Sequence, residues 1–254
     1  MENPFDKKEI VSDIYENAKK NVKEQIKRQE LENIIKSTLA AGVDKDLIGW
    51  KKEQFQLYFN EVVCRKRDYY RNSKISLDDF VQHLYDFKSP FFKKKIIIIV
   101  DGASKNIRNG FCHLILSRLI LNNFYNEGKI GITIPYSFIK FKFNSFEENR
   151  KNVLANLLEI PLLYISDVPD RMGFRPNSDG ASLMDQLLEM RSSPLILSLS
   201  TNVEKFTGHM EYGNAFRDII EDSKCIPYDG SFFRINLRND FLINPVDYRN
   251  EKFK

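Results

Sequence analysis

The chain has 254 residues, 42% of them hydrophobic and 29% charged, with 39 Lys or Arg against 35 Asp or Glu for a formal net charge of +4. That mixture excludes a disordered or fibrous chain, and the length suits one large domain or a domain of roughly 150 to 170 residues with a smaller appendage. No apolar run approaches the roughly 20 residues of a membrane span, and the charged N-terminus lacks a signal-peptide core, so a cytoplasmic protein without membrane contact is expected.

Residues 1 to about 48, rich in Lys, Glu and Asn, read as one or two helices. Their thin apolar stripe of Ile10, Ile14, Val22, Ile26, Leu31, Ile34, Ile35 and Leu39 needs a partner surface. Gly42 ends this pattern. A second helical segment begins near Asp46, with Trp50, Phe55, Tyr58, Phe59 and Val62, and carries the basic-aromatic run CRKRDYYRN, Cys64 to Asn72. In it Arg65, Lys66, Arg67 and Arg71 flank Tyr69 and Tyr70. Cations for phosphates and rings for base stacking are the ingredients of single-stranded DNA binding. The alternative is that they form the solvated and buried faces of one helix. Ser76 to Phe80 opens a further helix, with Ser76 as cap and Asp79 at the third position. It stops before Ser89-Pro90, where we place a boundary, so that residues 1–88 form a helical partner-binding domain and residues 91–254 a second domain.

From Lys93 to Leu121 the sequence runs KKKIIIIVDGASKNIRNGFCHLILSRLIL. Ile96 to Val100 is a β-branched run suited to a strand buried on both faces of a parallel sheet. Asp101-Gly102 breaks it, and from Ile107 onward apolar residues recur at helical spacing. This is the strand-loop-helix layout of a phosphate-binding loop, G-x-x-x-x-G-K-[ST], although the layout alone also suits any strand-turn-helix of an α/β protein. Gly102 fills the first position, but Ile107 stands for the second Gly, Arg108 for the Lys and Asn109 for the hydroxyl that holds magnesium. A β-branched residue resists glycine's backbone conformations, Arg is a wider cation than Lys, and Asn is a poor substitute for that hydroxyl.

A second strand follows at Ile130 to Ile134, broken by Pro135. A helix from Ser145 to Glu159 comes next, then a third strand, Leu162 to Ile165, ending in Ser166-Asp167. After a polar loop at 168–180 come a helix from Ala181 to Met190, a fourth strand from Leu195 to Leu199 running into Ser200-Thr201-Asn202, a partly helical stretch from Gly208 to Ser223, and a fifth strand from Gly230 to Ile235. Strands alternating with helices predict an α/β fold, a parallel five-stranded sheet flanked by helices. Cys64, Cys112 and Cys225 lie far apart without a C-x-x-C pair, and His83, His113 and His209 are as scattered, so no disulfide framework or metal site is expected.

Taken in order, the loop after the first strand, LLYISD at 162–167, SPLILSLSTN at 193–202, an arginine-bearing helix and GSFFR at 230–234 resemble the AAA+ ATPases, in particular the DnaC/DnaI-type replicative helicase loaders. The resemblance covers about 165 residues from Phe91 onward and implies a P-loop NTPase-like fold. It implies that Asp167 is a vestige of the Walker B pair, with Ser166 in place of the first acid. Asn202 would be the sensor-1 residue, Arg217 the arginine-finger candidate, and Gly102, Arg108, Asn109 and Arg234 would line a degenerate nucleotide site. Each has a plainer alternative: Asn202 as a turn cap, Asp167 as a helix cap or partner of Arg171, Arg217 as a surface cation. With about 20 residues after Arg234 no helical lid is expected, as in the loaders, whereas the cysteine-rich zinc module of DnaI-type loaders has no counterpart.

The resemblance implies a protein of DNA replication or mobile-element maintenance that binds a replicative helicase or other replication protein, and single-stranded DNA through Arg65 to Arg71. It would bind no nucleotide, or ATP or ADP weakly, with a poor magnesium site, and would form a monomer or a partner-templated homo- or hetero-oligomer rather than a nucleotide-driven ring. Two alternatives stand beside it. One is an active ATPase in which Arg108 does the lysine's work; the other is a structural adaptor with a relic fold.

Overall fold

A computed structural model describes residues 29, 32–33, 35–64, 77–86, 96–127, 131–145, 147–169, 179–200 and 231–253. The stripe up to Ile26, the run Arg65 to Arg71, Ser76, the boundary at Ser89-Pro90, Thr201-Asn202 and the stretch bearing Arg217 lie outside them. The sheet consists of β1 (Ile96–Gly102), β2 (Gly131–Pro135), β3 (Leu162–Val168), β4 (Leu195–Leu199) and β5 (Ser231–Leu237), in the order β2-β3-β4-β1-β5 with every pair parallel. Every residue of β1 is buried, which explains its unbroken apolar run.

Strand pleating sends alternate residues to opposite faces, and the cores divide accordingly. Ile96, Ile98 and Val100 face the long helix α3 (Lys105–Glu127), through Ile107, Phe111, Leu114 and Ile115. Ile97 and Ile99 pack on the other face with Tyr136 and Ile139 of α4 (Tyr136–Ser145), Leu157 of α5 (Glu147–Glu159) and Leu187 and Leu188 of α6 (Asp179–Met190). The sequence predicted no helix before Ser145. In YSFIKFKFNS the apolar residues fall between strand and helix spacing, and α4 buries only part of them: Tyr136 and Ile139 are inside, Phe138 and Phe141 exposed. A groove of about 310 Å³ lies beside these two helices, lined by Ile134, Phe138, Lys142, Val153 and Leu157 among others.

Arg191, just past α6, is 2% exposed, and its guanidinium donates to the carbonyls of Leu157, Ile160, Pro161 and Pro194. It ties the end of α5 to the start of β4. Burial pulls its pKa down to about 10, which leaves it charged at neutral pH.

Upstream, the helix reaching residue 40 ends at Gly42, whose φ of +80° closes the turn. A 3-10 turn at Lys45–Leu47 is capped by Asp44, which accepts from the Asp46 amide at 2.9 Å. Helix α1 (Lys52–Val62) follows, and α2 (Leu77–Tyr85) after it. α1 stops at Val62, because Val63 leaves the helix to form an antiparallel bridge with Leu237 on the outer side of β5. The Cys64 amide donates to Asn236 O and the Arg238 amide to Val62 O, both at 2.8 Å, so backbone groups on that edge of the sheet are satisfied. Trp50, Phe55, Tyr58, Phe59 and Phe80 interlock with Phe111, Phe233 and Tyr248, the last from a C-terminal helix α7 (Pro245–Lys252). Buried apolar residues among 41–63 and 80–84 therefore share one apolar core with β1, α3, β5 and α7.

Candidate functional site

The candidate site lies at the C-terminal end of β1. Only Ala103 and Ser104 separate Gly102 from the start of α3 at Lys105. Ile107, Arg108 and Asn109, predicted to close the loop, are instead the third to fifth residues of the helix, and the Arg108 amide already donates to Ser104 O at 3.0 Å. Gly102 has a structural reason of its own. Its φ is +78°, and a Cβ there would stand 2.1 Å from the Leu237 carbonyl oxygen of the neighbouring strand. Ala103 follows at φ +48°, and its amide donates to Asn239 Oδ1 at 2.9 Å.

The Arg108 side chain is only 6% exposed and turns back on the loop, where its Nη1 donates to Gly102 O at 3.1 Å and to Ala103 O at 2.9 Å. From β3, Asp167 reaches the same place. Its Oδ2 lies 2.8 Å from Lys105 Nζ and its Oδ1 3.8 Å from Arg108 Nη2. The residue has φ +56°, and the β3–β4 register shifts between Ile165 and Val168, so a bulge turns it out of the ladder toward α3. Asp167 thus pairs with Lys105 and Arg108; Arg171 is outside the described residues. Ser166, in the place of the first acid, is buried.

A chain of hydrogen bonds underlies this cluster. The Asp167 amide donates to Ser198 Oγ at 3.0 Å, Ser198 Oγ lies 3.0 Å from the Tyr164 hydroxyl, and Tyr164 reaches Asn109 Oδ1 at 2.8 Å. With one proton per hydroxyl, Ser198 donates to Tyr164 and Tyr164 to Asn109. Asn109 is therefore tied to the sheet. Cys112 lies beside Tyr164 and burial pushes its thiol up to about 12; burial likewise raises Tyr164 and lowers His113, whose ring meets Tyr164 edge-on.

The structure brings Gly102, Arg108, Asn109 and Asp167 together, and does not bring Arg234 to them. Arg234 is level with Ile99, three residues short of the Gly102–Leu237 pair, roughly 10 Å down the strand, and on the face away from α3. Lys105, Tyr164, Ser198 and Asn239 belong to the cluster and escaped the sequence reading. Only Lys105, three residues after Gly102, carried a local signal.

A parallel sheet in the order β2-β3-β4-β1-β5, with the loop after β1 and an acid near the end of β3 meeting at one end, defines an α/β, P-loop NTPase-like fold. No protein-family model and no curated protein sequence matches the chain. Among solved structures it is similar to DnaI, with 15% identity, 67% of this chain and 90% of that one covered, and a TM-score of 0.43. It is also similar to AMPPCP-bound DnaA from Aquifex aeolicus, with 14% identity, coverage of 67% and 50%, and a TM-score of 0.39, so that it spans half of that chain's length.

Proposed function

We propose that this chain is a DNA-replication accessory protein of the helicase-loader type, in which the AAA+-type domain serves as a scaffold and ATP hydrolysis is absent or impaired. The observation that supports it most is that Arg108, the Ala103 amide and Asp167 are already engaged by groups of the protein itself. Arg108 is bound to the Gly102 and Ala103 carbonyls, the Ala103 amide to Asn239, and the Asp167 carboxylate to Lys105 and Arg108. A phosphate would have to compete with Asn239 for the Ala103 amide and with Asp167 for Lys105 and Arg108, and a metal-bound water would have to compete with both cations for Asp167. Each function lost in this way commonly removes a few kcal/mol of transition-state stabilisation.

In this reading the N-terminal stripe of Ile10, Ile14, Val22 and Ile26 binds the helicase. Single-stranded DNA is bound by Arg65, Lys66, Arg67, Tyr69, Tyr70 and Arg71, cations and stacking rings of one run. Because residues among 41–63 and 80–84 share the main core, the test uses the full chain. The expected result is no magnesium-dependent phosphate release above background, together with capture of a replicative helicase that is lost when Ile10, Ile14, Val22 and Ile26 are changed to Ser. Turnover abolished by Asp167→Asn would overturn the reading in favour of an active ATPase. Failure to capture any replicative helicase would favour the structural adaptor.

A further inference from the structure

We infer that Asp167 is a built-in counterion: its carboxylate takes the place of a bound anion between Lys105 and Arg108 and holds the loop closed with no ligand present. The inference rests on the reading of the loop as nucleotide-free and adds to it the group that keeps it so. A guanidinium as buried as that of Arg108 must be neutralised or lose much of its solvation energy. The Gly102 and Ala103 carbonyls supply dipoles, and Asp167 supplies the formal charge, with one oxygen toward each cation. The backbone is bent to this end. Asp167 sits at φ +56°, a region that an Asp tolerates better than most residues, and its amide is anchored to Ser198.

A carboxylate tethered in this way competes with free anions as an intramolecular ligand. The tether holds it beside both cations at every anion concentration, so a free phosphate group must displace it to bind. Vacating the position should then turn the closed loop into an anion site. The backbone supports of Gly102 and Ala103 remain, and two cations lie within a few ångströms of the gap.

The experiment is thermal unfolding of the full chain, titrated with inorganic pyrophosphate at constant ionic strength. We expect wild type to show no shift. Asp167→Ala should melt about 2–8 °C lower and recover most of that loss in millimolar pyrophosphate. The double variant Asp167→Ala, Lys105→Ala should recover less. Should the alanine variant be recovered unfolded, Asp167→Asn removes the charge at nearly constant size and is read in the same way. A wild-type chain that shifts as far as the Asp167 variants, or variants that pyrophosphate does not stabilise, would overturn the inference. The two readings fail apart, since hydrolysis is read by phosphate release and this one by the melting shift.

Discussion

Replacing Gly102 by Ala separates a glycine kept for its backbone from one kept for a phosphate. Two costs add. A side chain in the left-handed region costs roughly 1–2 kcal/mol. The new Cβ would then stand 2.1 Å from the Leu237 carbonyl oxygen, backbone against backbone, where no rotamer change gives relief. Overpacking of that kind costs about 1–3 kcal/mol. The sum is about 2–5 kcal/mol, lost with no nucleotide in the solution. Gly49 supplies the control, because its φ is +83° and nothing lies within 4 Å of its missing Cβ. Gly49→Ala bears the first cost alone. At about 2–4 °C per kcal/mol for a chain of this size, Gly102→Ala should melt about 2–12 °C below Gly49→Ala. Urea titrations should give the same ranking with unchanged m-values. If the two variants lose equal stability, or if the loss at Gly102 appears only when nucleotide is added, the structural account of this glycine is wrong.

Arg191→Met should cost about 3–5 kcal/mol, because it leaves the carbonyls of Leu157, Ile160, Pro161 and Pro194 buried without the donor they share, and urea unfolding reads that loss directly. An Arg191→Met chain as stable as wild type would mean that those carbonyls find other donors. Single-stranded DNA binding should fall steeply with salt and weaken when Arg65, Lys66, Arg67 and Arg71 are replaced by Ala. Fluorescence anisotropy measures both, and an affinity unmoved by the four substitutions assigns the run to a solvated face.

The fold was legible where burial is uniform. Ile96 to Val100, Leu162 to Ile165 and Leu195 to Leu199 are strands because residues buried on both faces leave no polar interruption, and a string of such runs separated by helices has few arrangements open to it. Legibility failed where a segment is only half-buried, as in α4, whose exposed Phe138 and Phe141 blur the helical period. The end of α1 was not legible either, since it is set by a pairing with Leu237, distant in sequence. At the site the sequence offers the residue types at the loop, Gly102, Arg108 and Asn109, and the acid Asp167. It does not offer their partners. Asn239 lies 136 residues from the amide that it caps, and Tyr164 lies 55 residues from Asn109. No local rule joins such pairs; the register of the sheet does.

That register also brings supports to the loop from within the protein. In a phosphate-binding loop the anion satisfies the amides at the start of the helix. Here the end of β5 does part of that work from the side. Leu237 packs its carbonyl against Gly102, Asn236 Nδ2 donates to Asp101 Oδ1 at 3.1 Å, and Asn239 takes the Ala103 amide. The same strand end is held from its outer edge by Val62, Val63 and Cys64, where the basic-aromatic run begins. The loop is therefore braced from two directions, by Asp167 across the sheet from β3 and by β5 with its added edge on the other side. Neither brace depends on nucleotide. The shape of the loop is thus set in part by side chains drawn from β3, the β5 terminus and the first turns of α3, groups that only the register of the sheet brings together.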